Sequence, residues 1–560
     1  MRVGGVRNYI WLLLVFLCVF SFSLNLIVIA YDHVGDVYDT MHLERTGRLL
    51  AHAVQGENDA WPAFRGAVAG SAYPPLIHYL SLPVRLVVGD HPRAGAVTVA
   101  AWSLLTILAT FGIGHLLAGD RAGLLAAFFI TFAPGFYRFA RLETTDAPLA
   151  AMVALTMFFL LRSDGLGRRA GAMQFGAVAA LGMLTKQSFM LYLILPSSYL
   201  IVQYLWAAKP EKRKVRLRNA AWSSGIFLAI VFMLYLPGLE SWITTRQVVR
   251  AFYLAVDQIG FVDNLKLLIS TGLGPFLTVL TILGFILVSK AEWANRALFL
   301  WFVPPILLLH AVFGMQSTRY LLPLLPAGAI LGALGVEKWL IETGRKRAVA
   351  GVLVVFFVLG GAAAYDNLRA EQTPFSFRDF EKRQHIEGLP RPERLGWSVQ
   401  PIASKMAAGA ANKKFVMLLD SPYTSLLQGE LWLADPRLDI DNLFERAAAG
   451  RTPPEFEPDG SLVEYLRAAD VILVKSGFNT DTRNFNWAQD VNRKFAQRVF
   501  KAFFEVKGEF ELVDHFPYPE STSPVLLYRK KQRTSRVIPS FPGPTPPAPH
   551  SGPAPETSGS

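Results

Sequence analysis

The chain has 560 residues, with 55 Lys and Arg against 43 Asp and Glu, and so a formal charge of +12 at pH 7. Charged residues make up only 18% and hydrophobic ones 52%, which excludes the soluble nucleic-acid binder that such a surplus otherwise suggests. Forty Phe, 12 Trp and 17 Tyr exclude a disordered chain, and a single cysteine, Cys18, excludes an intramolecular disulfide or a Cys-based zinc cluster.

What remains is a polytopic α-helical membrane protein. Eleven stretches carry no Asp, Glu, Lys or Arg: 8–31, 94–119, 122–137, 147–161, 170–185, 187–208, 219–239, 267–289, 297–318, 320–336 and 348–365. A helix rising about 1.5 Å per residue needs roughly 20 residues to cross about 30 Å of hydrocarbon. About seven of the stretches reach that length. The shorter ones are flanked by residues such as Arg121, Arg138 and Arg162, whose side chains can snorkel to the interface. About 11 transmembrane helices are therefore expected over residues 1–365. The first of them also has the basic start and apolar core of a signal peptide, although its run is long for one and the site around Ala30 is poor.

Charge gives the orientation. With the N-terminus in the cytoplasm, the inner loops hold 18 basic residues and six acids, and the outer loops and the C-terminal half balance. The richest inner loop is 209–218, with Lys209, Lys212, Arg213, Lys214, Arg216 and Arg218, a topology determinant that also suits anionic lipid. The C-terminal half is placed outside.

The first outer loop, 32–93, is the longest in this half. It carries Asp32, Asp36, Asp39 and Glu44, a short helix expected from Asp39 to Val54, and the segment Tyr73-Pro74-Pro75-Leu76-Ile77-His78. Carboxylates at the mouth of a helix bundle can deprotonate an acceptor hydroxyl or bind a cation, or they can simply be solvated. Asp36 is the best placed of them, just past the boundary of the first span.

Arg138, Arg141, Glu143 and Asp146 are confined to a short outer loop. Lys186 is the one charge between Ala170 and Ala208, so it sits in a tight turn or is paired with an anion. A second outer loop, 240–266, mixes Trp242, Phe252 and Tyr253 with Arg246, Arg250 and Lys266, as an interfacial amphipathic helix does. Arg319, beside Tyr320, brings a planar guanidinium suited to phosphate to an apolar border. Carboxylates beside Lys and Arg are what an attack on a lipid-linked phosphate ester requires.

Residues 366–531 form an extracytoplasmic α/β domain, with strands expected at Phe415–Leu419, Val471–Val474, Phe510–Phe516 and Pro524–Tyr528. Residues 532–560 are a Pro-rich disordered tail. There is no internal repeat, no phosphate-binding glycine loop and no metal-ligand motif of diagnostic spacing.

Five segments in order carry a family resemblance: Gly35-Asp36 with Tyr38, Tyr73-Pro74-Pro75-Leu76, Ala140-Arg141-Leu142-Glu143 with Asp146, Thr185-Lys186, and Arg319-Tyr320-Leu321-Leu322-Pro323. Residues 1–365 resemble the polyprenyl-phosphate-sugar-dependent glycosyltransferases of the GT-C fold, in particular the protein O-mannosyltransferase and lipid A aminoarabinose transferase group. The resemblance implies that Asp36 is the catalytic base, that Asp146 is the acid of the second outer loop, and that Lys186 and Arg319 lie near the lipid phosphate. Arg141 and Tyr73 from the same motif segments, with His78 two residues past Leu76, complete the expected substrate site. Many members follow the first Asp with Glu, where this chain has Val37. The C-terminal domain looks more like the outward domain of bacterial relatives than like the module of the mannosyltransferases.

The expected partners are a polyprenyl-phosphate-linked sugar, membrane lipids and a glycan, lipid or protein acceptor, with no nucleic acid. The expected location is a bacterial inner membrane. A phosphate leaving group met by cations needs no general acid, so no cofactor or metal is required, and a divalent cation is not indicated. Two other readings compete: a lipid or solute transporter with an outward domain, and an O-antigen-ligase-like glycan ligase using outer Arg and the histidines His33, His42, His52, His78 and His91.

Overall fold

The structure, a computed structural model, describes residues 3–31, 38–57, 60–69, 73–89, 91, 93–235, 261–288, 292–313, 318–341, five positions between 351 and 358, and 414–418, 439–442, 459–475, 490–518 and 521–531. Asp36, the residues Trp242, Phe252 and Tyr253 of segment 240–266, and the tail 532–560 lie outside these residues.

The apolar stretches fold as helices wherever they are described. Long runs of Leu, Ala, Phe and Ile leave the backbone no partner in hydrocarbon except itself. Helix α1 covers Val3–Tyr31, followed by α2 (Tyr38–Val54), α3 (Ala60–Ala69) and α4 (Leu76–Val88), all three before the second long apolar helix. The short helix expected from Asp39 is α2. Then come α5 (Ala94–Ala118), α6 (Asp120–Thr131), α7 (Pro134–Phe139), α8 (Asp146–Arg162), α9 (Arg169–Thr185), α10 (Phe189–Trp206) and α11 (Pro210–Tyr235). The remainder of this half is α12 (Phe261–Leu267) running into a π turn at Leu268–Gly272, α13 (Pro275–Leu287), α14 (Trp293–Phe313), a 3₁₀ helix over Thr318–Leu324, and α15 (Leu325–Val336).

Among the described residues, five helices are long and apolar enough to cross a membrane: Tyr9–Ala30, Ala94–Ala118, Phe189–Trp206, Trp293–Ala311 and Arg319–Trp339. The chain is a multi-pass membrane protein with a C-terminal α/β part. Of the other apolar stretches, 122–137, 147–161, 170–185 and 267–289 make shorter helices, 219–239 lies as far as Tyr235 in the 26-residue α11, and most of 348–365 lies outside the described residues, so the count of 11 spans stays an expectation. Stretch 122–137 is not one helix. Pro134 has no N–H to continue α6, and it starts α7 at its first position instead.

The 209–218 run is also not a loop. Lys and Arg are good helix formers, Pro210 sets the first turn, and α11 continues from there into the apolar segment. Within it Arg216 is buried, donating to the Asp164 carboxylate (2.9 Å) and to the Tyr204 carbonyl (2.7 Å). Asp164 and Leu166 hold positive φ in the turn between α8 and α9, and Asn219 Nδ2 donates to the Leu166 carbonyl at 2.8 Å. This clamp fixes one end of the bundle.

The core lies between α5, α6, α8 and α15, where every residue of α15 is buried. Small side chains let these helices approach closely, and Thr281 of α13 donates to the Gly328 carbonyl of α15 at 3.1 Å. Because α8 and α9 run antiparallel through a short turn, the N-terminus of α8 and the C-terminus of α9 meet at the end opposite the Arg216 clamp.

The C-terminal part is a five-stranded sheet with β1 (Lys414–Leu418), β2 (Asp439–Asn442), β3 (Val471–Lys475), β4 (Phe510–Tyr518) and β5 (Ser521–Lys530) in the order β2-β1-β3-β5-β4. The first three strands pair parallel, and β5 runs antiparallel to both β3 and β4. Helices α16 (Asp459–Arg467) and α17 (Asp490–Val506) bury Leu462, Leu466, Val499 and Phe503 against Val416, Ile472 and Tyr528. The four expected strands are present. The fifth, β2, has the sequence Asp-Ile-Asp-Asn and offers a single apolar residue to the pattern.

Candidate active site

Asp146 occupies the first turn of α8, where a carboxylate is favoured by the positive end of the helix dipole. Lys186 is the C-cap of α9, where a cation is favoured for the converse reason. The antiparallel pair brings them together: Lys186 Nζ donates to Asp146 Oδ1 at 2.6 Å, with Asp146 1% and Lys186 8% exposed. The pairing answers the question posed by a lone lysine between two apolar runs.

Arg319 approaches from the 3₁₀ helix, its Nε 4.0 Å from Asp146 Oδ2. Its guanidinium carbon lies 5.1 Å from the centre of the Tyr320 ring, and Nη2 is 3.2 Å from the Tyr320 hydroxyl. The 3₁₀ segment is itself held from two sides. Tyr192 Oη donates to the Tyr320 carbonyl at 2.6 Å and Trp301 Nε1 to the Pro323 carbonyl at 3.0 Å. The Lys186 ammonium sits between two rings, 5.7 Å from Tyr73 and 5.0 Å from Tyr320. Two cations thus share one carboxylate inside an aromatic wall. That leaves one formal positive charge in a partly desolvated setting, where its hold on an anion is stronger than in water.

A second buried constellation lies beside the first, joining Glu44 and Glu143 through Arg85, which gave no sign in the sequence. Arg85 of α4 is 1% exposed. It forks onto Glu44 of α2, Nη1 to Oε1 at 2.8 Å and Nη2 to Oε2 at 2.9 Å, and Nη2 also reaches Glu143 Oε1 at 2.7 Å. Ser81, one turn back on α4, accepts from Nε at 3.2 Å. Two glycines make the space. A Cβ on Gly47 would stand 2.5 Å from Arg85 Nε, and one on Gly95 would overlap the Glu143 carboxyl.

Burial pushes Glu143 well above the ordinary glutamate range against the pull of Arg85, with Glu44 adding to the rise. Burial also opposes the charge of Arg85, but Glu143 and Glu44 outweigh it and hold the guanidinium above its usual value.

The structure therefore brings together Asp146, Lys186, Arg319 and Tyr73. His78 is buried on α4, its ring 6.5 Å from and edge-on to Phe64, two helical turns before Arg85. Arg141 is half-buried in the turn between α7 and α8. Among the described residues no group of three or more His, Cys, Asp or Glu is placed to hold a metal ion.

Residues 72–238 match the family described as dolichyl-phosphate-mannose-protein mannosyltransferase. That segment contains Tyr73, His78, Arg85, Arg141, Glu143, Asp146 and Lys186. Solved structures with a similar fold include ArnT from Cupriavidus metallidurans in the apo state, at 12% identity and a TM-score of 0.59 over 94% of this chain and 98% of that one. The same protein bound to undecaprenyl phosphate aligns at 14% identity and a TM-score of 0.56, with the same coverage. An Archaeoglobus fulgidus oligosaccharyltransferase tethered to an acceptor peptide aligns at 12% identity and a TM-score of 0.51, over 94% of this chain and 74% of that one. No curated protein matches by sequence. The fold is the GT-C fold that these solved structures share.

Proposed function

We propose that this chain is an integral membrane glycosyltransferase that moves a sugar from a polyprenyl-phosphate donor to a hydroxyl acceptor on the outer face, with inversion at the anomeric carbon. The acceptor is a glycan, lipid or protein of the cell envelope. The observation that carries this reading is the pairing of Lys186 and Arg319 around one buried carboxylate, Asp146. The donor phosphate completes the charge of that site. As the glycosidic bond breaks, the phosphate monoester gains negative charge, and the two cations stabilise it without a general acid. Asp36 removes the acceptor proton. Tyr73, Arg141 and His78 line the path of donor and acceptor. The scheme calls for no cofactor. The match of residues 72–238 to the mannosyltransferase family and the undecaprenyl phosphate bound by the ArnT relative support it.

The orientation follows from the basic inner loops: N-terminus in the cytoplasm, candidate site and C-terminal domain outside, in a plasma membrane. The site end of the bundle is opposite the Arg216 clamp, whose loops carry the basic excess. In a test with purified protein and a defined polyprenyl-phosphate sugar, Asp36→Asn abolishes transfer and keeps polyprenyl phosphate binding. Full transfer by that variant removes Asp36 from its role. No transfer by the native chain from any such donor overturns the reading.

A further inference from the structure

Arg85 ties together two segments that the proposed reaction needs in register. Glu44, on α2, follows Asp36 by eight residues, and Glu143 precedes Asp146 by three. One guanidinium, on a third segment, binds both carboxylates. A lysine presents a point charge and cannot reproduce this. The planar fork gives Glu44 a bidentate pair and leaves a further donor direction for Glu143. Gly47 and Gly95 lie where any side chain would displace the guanidinium or the Glu143 carboxyl. Both belong to regular helices, where Ala is the better helix former, so their smallness answers to the cluster rather than to the backbone.

We propose that Arg85 is a positioning residue for the transfer reaction: by holding Glu44 and Glu143 on one guanidinium, it fixes helix α2, which follows Asp36 in the sequence, relative to the turn carrying Asp146. The inference rests on the donor-site reading above. Arg85 acts through its two carboxylates, so its loss disturbs the alignment of base and phosphate more than the binding of either substrate.

The test uses the full chain in detergent with Arg85→Lys, Glu143→Ala and the double variant, read by kcat, donor KM and amide hydrogen exchange. Arg85→Lys lowers kcat by about 10- to 100-fold, the worth of a charged hydrogen bond, and leaves donor KM within about threefold of native. The double variant falls no further than the worse of the two singles, since both break the same link. Exchange rises in residues 38–54 and 140–146 together.

A native kcat for Arg85→Lys, a fall confined to KM, or effects that multiply in the double variant overturns the proposal. If Arg85→Lys is not recovered as a monodisperse protein, Glu44→Ala and Glu143→Ala, which each leave Arg85 one of its two partners, carry the same readouts. If the native chain neither transfers sugar nor binds polyprenyl phosphate, the functional reading fails by itself. Exchange then decides the coupling, which is refuted if loosening stays within one of the two segments.

Discussion

Lys186 and Asp146 are 40 residues apart in sequence and 2.6 Å apart in the fold, nearly sealed from solvent between two tyrosine rings. A buried pair of this kind is a weak source of stability but a strong liability when halved, because the remaining charge has no water to turn to. Lys186→Met is therefore expected to lower stability by about 3–5 kcal/mol, the usual result of breaking a buried pair. Arg319, 4.0 Å away, softens the loss without replacing the direct contact. The double variant Lys186→Met with Asp146→Asn removes both charges and recovers most of the stability. Unfolding midpoints of the detergent-solubilised variants check this, and additive effects would show that the two side chains do not share an environment.

The guanidinium of Arg319 points to a second outcome. Its planar donors lie against Tyr320 and beside Asp146, so a bound phosphate can be met by two parallel N–H groups. Arg319→Lys retains the charge but not the fork. Affinity for polyprenyl phosphate is expected to fall by about 10- to 100-fold, the worth of one charged hydrogen bond. Titration of the variant with the lipid phosphate, in the absence of any sugar, measures it. An unchanged affinity removes Arg319 from the phosphate site.

How much of this could be read beforehand differs from residue to residue. In the sequence Lys186 is a lone charge between apolar runs, which requires a partner or a tight turn, Asp146 is confined to a short loop, and Arg319 brings a guanidinium to an apolar border. Tyr73 stood out through the prolines after it. Arg85 gave no such signal. It sits among Leu, Val and Pro in a short helix, and its partners are 41 and 58 residues away. Only tertiary packing reveals that a guanidinium there is buried and doubly bound. The same limit hid the role of Arg216, which counts in sequence as one of six loop cations but is folded inward onto Asp164. Strand β2 escaped because an edge strand with one apolar residue has no alternation to detect.

Protonation of the Arg85 cluster makes stability depend on pH, with a defined sign. Burial raises Glu143 above its unfolded value, so between the two values the native state binds more protons than the unfolded one. In that window stability falls as pH rises. The contribution is fully present below the ordinary glutamate range and is lost as pH climbs through the raised native value. Glu143→Gln mimics the protonated carboxyl and is expected to flatten this dependence. Unfolding midpoints of both proteins from pH 5 to pH 9 test it, and parallel slopes would assign the pH dependence to other groups.

Glycine substitutions separate space from backbone. In an exposed helical position Gly→Ala is worth roughly 0.5–1 kcal/mol of stabilisation, because Ala loses less chain freedom on folding. Gly66, in α3, has open space where a Cβ would go, and Gly66→Ala is expected to show that gain. At Gly95 the same substitution sets a methyl group on the Glu143 carboxyl, and at Gly47 it sets one 2.5 Å from Arg85 Nε. Neither neighbour is the loose end of a surface side chain. Arg85 is fixed by Ser81, Glu44 and Glu143, and Glu143 is fixed by Arg85. The helical gain is then outweighed by displacement of a buried charged group, and both variants are expected to unfold earlier than native, with transfer activity falling in parallel. The comparison is made within one set of midpoints. If Gly95→Ala shifts the midpoint upward as Gly66→Ala does, the carboxyl can move aside and the cluster is not the rigid tie that its contacts describe.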